Sequence, residues 1–157
     1  MRPFFQAPPC QHRLWDSLKG WLGTPFFAHA ASRGAGVDCV NLIHEVLVEI
    51  DAIPRLQLPG YSLDHARHST YPQLLLFLLT TPEIAGRFVM VPPAERLMAG
   101  DLIGIKSGRV DHHLAIVTPY AEIVHAVEGD GVIRTPLNDK KLTARTLYVL
   151  RLMETTA

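Results

Sequence analysis

The texture of the chain changes once, near Gly86. Before it, apolar residues recur at helical spacing. After it, short β-branched runs alternate with turn residues. "DLIGI" (101–105), "HHLAIV" (112–117), "EIVHAV" (122–127), "GVIRT" (131–135) and "TLYVLRL" (146–152) read as strands. Helices first and strands afterwards predict an α+β fold with an antiparallel sheet.

The helical half divides at its prolines and glycines. Leu14, Trp15, Leu18, Trp21 and Leu22 give residues 11–22 a helical stripe, stopped by Gly23-Thr24-Pro25. Residues 28–37 are small and Gly-rich, and read as a loop. Asp38 is placed to cap a second helix whose buried stripe is Leu42, Ile43, Val46, Leu47 and Ile50, ended by Pro54. Residues 54–71 predict a long irregular connection, and Pro72 opens a third helix reaching about Leu79. The Pro-rich residues 1–10 are expected to form an arm over the body. The 157 residues contain no internal repeat and no linker, so a single domain spanning 1–157 is expected.

Composition excludes several partners. With 48% apolar and 19% charged residues the chain is expected to fold rather than stay disordered. Fifteen basic and fifteen acidic residues leave zero formal charge, without the electrostatic footprint of a nucleic-acid binder. The run "LLLFLL" (74–79) is too short to span a bilayer. "MRPFFQAPPCQHRLW" lacks the unbroken apolar run of a signal peptide, so the expectation is a protein cytoplasmic as made. Cys10 and Cys39 are too few for a disulfide framework and lack zinc-ribbon spacing.

Chemistry concentrates in "GAGVDCVNLIHEVLVEI" (34–50), where Cys39 follows a Gly-rich turn and opens an amphipathic helix. A thiol attacks only as thiolate, and a helix N-terminus lowers the thiol pKa through its partial positive charge and free N–H groups. The same N–H groups can stabilise an oxyanion. A small buried hydrophobe is the competing reading of such a cysteine. A nucleophilic cysteine needs a histidine, itself oriented by a third group. If the hairpin turns at 118–120, Val117 faces Ala121, and His113 stands directly opposite His125 on one face.

These motifs, "GTPFF…GAGVDCVNLI", "AGDLIGI", "HHLAIV" and "IVHAVEGDGVI", in this order, resemble the NlpC family of papain-like cysteine peptidases. The likeness runs from about Trp21 to Leu137 and looks closest to the branch associated with phage tails and gene-transfer particles. It implies a papain-like fold, with Cys39 as nucleophile, His113 as general base and His125 as the orienting third member. The implied reaction is hydrolysis of an amide in peptidoglycan stem peptides through a thioester. No metal or cofactor is implied, and delivery to the wall would fall to a phage-like particle or a secretion system. Two departures stand out. Val40 and Asn41 replace the small pair that usually follows the cysteine, and Phe26 or Phe27 stands where a tyrosine hydroxyl commonly serves the oxyanion. His29 or Ser32 would then be the substitute donor, with Asp38 acting as helix cap.

Among the remaining polar residues, His112 is expected on the sheet face opposite His113 by strand alternation. His65 and His68 have metal-ligand spacing but read as a polar loop, because no matching ligand cluster accompanies them. Glu45 and Glu49 read as the solvent face of the Cys39 helix, and Glu128 and Asp130 as a turn. Three rival readings use the same residues: a zinc site of Cys39, His113 and His125, a catalytically impaired wall-binding or tail-structural module, and an acyltransferase.

Overall fold

The computed structural model describes residues 2–58, 73–107 and 110–155, excepting the side chains of residues 107 and 110–112. Its architecture is α+β, as expected. Helices α1 (Pro8–Trp21), α2 (Cys39–Glu49) and α3 (Gln73–Thr80) come first. Strands β3 (Phe88–Met90), β4 (Leu102–Ser107), β5 (Val110–Val117), β6 (Glu122–Val127), β7 (Gly131–Pro136) and β8 (Thr146–Leu152) follow. They form one antiparallel sheet in the order β3-β8-β4-β5-β6-β7. Several short elements were not read from the sequence. They include β3, the small hairpin of β1 (Ala31–Ser32) and β2 (Gly36–Val37), and the short helix α4 (Lys140–Arg145).

The expected arm is part of the body. Helix α1 begins at Pro8 rather than at residue 11, with Pro8 and Pro9 in its first turn. Proline costs nothing there, because first-turn N–H groups have no helical acceptor. Ahead of it, Phe5 is 2% exposed and sits in the main core. Pro3 bridges Met153, and the Glu154 N–H donates to the Arg2 carbonyl at 2.8 Å, which ties the N-terminal residues to the end of β8.

Helix α2 packs against β5 and β6 and carries the catalytic candidate into the centre of the molecule. All five of its expected stripe residues, Leu42, Ile43, Val46, Leu47 and Ile50, are buried. It ends at Glu49, before Pro54, because Asp51 takes a left-handed φ of 58° and the N–H groups of Ala52 and Ile53 turn back to the Leu47 carbonyl. Both glutamates are engaged in pairs at the surface. Glu45 binds Arg55, and Glu49 accepts from Ser17 and Arg33. His44, between them, is buried and its Nε2 accepts from the Leu56 N–H at 2.9 Å.

The β5–β6 hairpin differs in register from the sequence reading. Val117 pairs with Ile123 and Ile116 with Val124, so the turn takes four residues, Thr118 to Ala121. Thr118 donates its N–H to the Glu122 carbonyl, its hydroxyl accepts from the Tyr120 N–H, and Ala121 closes the turn at a φ of 57°. The shift is two residues, an even number, so His113 and His125 still share a face but meet diagonally. Beside them the sheet is bulged. Ile105 pairs with His113 while Lys106 pairs with Asp111, which leaves the His112 backbone as the extra residue, and β8 slips against β4 at Gly104/Ile105. A bulge breaks strict alternation. The expectation for the His112 side chain falls outside the described residues, as do those for His65, His68, Pro72 and most of the 54–71 connection.

Candidate active site

Asp38 fixes the start of α2. One carboxylate oxygen accepts from the Asn41 N–H at 2.8 Å and from the Asn41 side-chain amide at 3.0 Å; the other accepts from the His29 N–H at 2.7 Å. One side chain thus caps the helix and holds the preceding loop against it, with His29 in the left-handed region at a φ of 64°. Cys39 is the first residue after the cap and is 6% exposed.

Burial is the largest influence on that thiol and, helped by the Asp38 carboxylate, pushes it up to about 12. The backbone N–H groups of Leu114, Val40 and Cys39 itself oppose the shift without reversing it. The sequence led us to expect a thiol lowered by the helix N-terminus. The amides responsible for that effect are present, but desolvation outweighs them. The Leu114 amide also sets the position of the sulfur, beside the residue that follows His113 in β5.

His113 Nε2 and His125 Nδ1 lie 2.7 Å apart, with ring centroids 5.0 Å apart and the rings tilted by 55°. His125 Nε2 lies 2.9 Å from the Thr135 hydroxyl on β7. Burial lowers the His125 pKa to about 4, despite the opposing carboxylates of Asp130 and Asp139, so this imidazole is neutral at pH 7. The Thr135 hydroxyl can donate or accept, so two proton arrangements satisfy the chain. In the one that frees His113 Nδ1 to take a proton, His125 carries its proton on Nε2 and donates to Thr135, while its Nδ1 accepts from His113 Nε2–H. That leaves the Nδ1 lone pair of His113 as the proton acceptor of the set.

Cys39, His113 and His125 line one open cleft of about 670 Å³ together with Phe26, Ile133 and Thr135. Its rim carries Lys106, Glu128, Asp130, Asp139, Lys141 and Arg145. The structure separates the two phenylalanines. Phe26 faces the cleft, whereas Phe27 is 58% exposed and lies over Gly36. It also corrects two tentative donors. Ser32 lines a different cleft with Trp21, Arg33 and Arg55, and His29 is exposed, spending its N–H on Asp38. Thr135 was missed in the sequence. Its signal was the alternation Ile133-Arg134-Thr135, which puts a hydroxyl on the face of His125 once His125 pairs with Ile133.

The zinc alternative finds no support in this geometry. Among the described residues no group of three or more His, Cys, Asp or Glu side chains is arranged to hold a metal ion. His125 engages both of its ring nitrogens, one with His113 and one with Thr135. Among the described residues, no helix is long and apolar enough to cross a membrane.

No family model matches the sequence, and no curated protein matches it significantly. Solved structures do. A Staphylococcus aureus protein described as similar to lipoprotein, NLP/P60 family, superposes with a TM-score of 0.65 at 19% identity, covering 98% of this chain and 44% of that one. The peptidoglycan hydrolase RipB of Mycobacterium tuberculosis gives 0.59 at 19% identity, covering 98% and 69%. The NlpC/p60 domain of the peptidoglycan hydrolase SagA gives 0.54 at 18% identity, covering 89% and 97%. The chain therefore spans less than half of the staphylococcal protein but nearly all of the isolated SagA domain. At these identities the likeness is one of fold, and the fold is the papain-like one of NlpC/P60 domains.

Proposed function

We propose that this chain is a cysteine peptidase of the NlpC/P60 type, cleaving an amide bond in the stem peptides of peptidoglycan through a thioester. One observation carries the reading. The His113–His125–Thr135 hydrogen-bonded chain opens onto the same cleft as a cysteine at a capped helix start. The peptidoglycan hydrolases that share the fold supply the substrate class.

In this mechanism Cys39 rests as a thiol, and its proton passes to His113 Nδ1 as the sulfur attacks the substrate carbonyl. The oxyanion forms next to the N–H groups of Cys39 and Val40, which already point at the sulfur. Collapse of the tetrahedral adduct breaks the C–N bond, and His113 returns its proton to the departing amine. Water, deprotonated by His113, then attacks the thioester; the C–S bond breaks, the acid is released and His113 returns the proton to the Cys39 sulfur. His125 holds the His113 imidazole in the tautomer this requires and disperses the positive charge that develops there.

Soluble muropeptides provide the test. The wild-type protein is expected to release shorter peptides while leaving glycan strands intact, and Cys39→Ala to release none; release by Cys39→Ala would sink the assignment. Phe26 favours a second reading, an impaired relative that binds wall fragments, because it puts an apolar ring where the resemblance puts a tyrosine hydroxyl. In that case Phe26→Tyr raises the rate of peptide release, by up to about a hundredfold for a restored oxyanion donor. The likeness of "GTPF" and "GAGVDC" to phage-tail relatives supports delivery to the wall on a phage-like particle.

A further inference from the structure

Three cations line the cleft of Cys39. Lys106 comes from β4, and Lys141 and Arg145 from α4. All three are exposed, and among the described residues none has an ion-pair partner. Elsewhere among the described residues Arg2, Lys19, Arg33, Arg55, Arg134 and Arg151 each hold a carboxylate, whereas Arg13, Arg87, Arg96 and Lys140 do not, so it is the grouping of the three in one cleft that sets them apart. Lys141 and Arg145 are also four apart on one short helix, an arrangement of like charges that weakens a helix by a few tenths of a kcal/mol. Arg145, in the last turn of α4, is favourably placed against the helix dipole, whereas Lys141, in the first turn, is not.

Topology separates these cations from two of the three acids of the same cleft. Helix α4 packs against β4, so Lys106, Lys141 and Arg145 share the β4 side. Glu128 and Asp130 belong to the β6–β7 turn, on the far side of His113 in β5. Asp139 is occupied as the cap of α4, accepting from the Leu142 N–H at 2.9 Å. An anion entering the cleft is therefore drawn to the β4 side and repelled from the β6–β7 side.

We infer that Lys106, Lys141 and Arg145 form a specificity wall that seats a carboxylate of the substrate, distinct from the amide being cleaved. The inference rests on the peptidase reading, but it concerns which peptides bind rather than whether they are cut. A substrate with that carboxylate free is preferred over the same peptide with it amidated. Each exposed pair contributes at most about fivefold, so the three cations together give a discrimination on the order of tenfold, which falls in KM. It shrinks as salt rises, because the wall is open to solvent.

Two matched stem peptides, one with a free side carboxylate and one amidated there, test this in turnover by the wild type and in binding to Cys39→Ala. The expected result is about tenfold tighter binding and lower KM for the carboxylate form. The difference is expected to shrink to within about twofold in Lys141→Gln/Arg145→Gln and at high salt. Equal binding of the two peptides to Cys39→Ala at low salt, or a preference untouched by the double substitution, would overturn the wall. No turnover of either peptide by the wild type, together with a wall-dependent binding preference in Cys39→Ala, would keep the wall and remove the peptidase reading.

Discussion

At the Cys39 sulfur, burial and the Asp38 carboxylate favour the thiol, against the N–H groups of Leu114, Val40 and Cys39, which favour the thiolate. With the pKa pushed up to about 12, no thiolate plateau falls near neutrality. Alkylation of Cys39 by iodoacetamide, followed by mass spectrometry of the digest, is expected to keep accelerating through about pH 9.5. A plateau below pH 8 would contradict this balance. The same scale governs Thr135. Its hydroxyl lies 2.9 Å from His125 Nε2 and holds the ring with Nδ1 turned to His113. Thr135→Val is expected to lower kcat several-fold with little change in KM, and Thr135→Ser to restore it. Loss confined to KM would make Thr135 part of the binding surface instead. That Cys39 opens a helix and that His113 and His125 share a face was legible in the sequence, because helix starts and strand alternation fix such faces. The balance at the sulfur was not, since it depends on depth, which no local pattern encodes.

Among the elements, α2 was read well because its cap and stripe lie within one contiguous stretch. Its five apolar positions and Asp38 behave as the spacing predicts. The β5–β6 register was not legible to the residue. It depends on how Thr118 and Ala121 close the turn, and only the even shift preserved the shared face of the histidines. Short elements such as β3 and α4 were missed because three to six residues carry too little periodicity. The cap offers an element-scale prediction. Asp38→Ala removes acceptors for Asn41 and for His29, so urea unfolding is expected to show a loss of about 1–2 kcal/mol. Asp38→Asn, which keeps one amide oxygen, is expected to recover a good part of it. An unchanged midpoint in Asp38→Ala would mean that the loop and the helix hold each other without the cap.

For the whole molecule, the switch at Gly86 from helical to strand texture was enough to give the α+β class, because a core built from one helical layer and one sheet leaves its period in every segment. What the class leaves open is the cost of burying polar groups between those layers. Helix α2 lies on the sheet, and two imidazoles are enclosed between these elements and their neighbours: His125 at the cleft and His44 beneath the Leu56 backbone. Burial is the main cause of a lowered pKa in both, to about 4 for His125 against an ordinary 6.5. The folded protein therefore binds these protons less readily than the unfolded chain. Their contribution to stability is fully present above about pH 6.5 and is lost as the pH falls through that value towards 4. For His125 the loss amounts to as much as about 3 kcal/mol, since one pKa unit corresponds to roughly 1.4 kcal/mol. Glu45, held down chiefly by its bond to Arg55, is lost from the balance only at lower pH, as the medium passes below its ordinary value of 4.5. Urea unfolding at pH 7, 6, 5 and 4 is thus expected to show stability declining from pH 6.5 downward. His125→Asn is expected to decline less over the same interval, its remaining slope coming from His44. Parallel wild-type and His125→Asn curves between pH 7 and 4 would mean that His125 takes up its proton in the folded state as easily as in the unfolded one. Burial at the cleft would then not be what keeps this imidazole neutral beside His113.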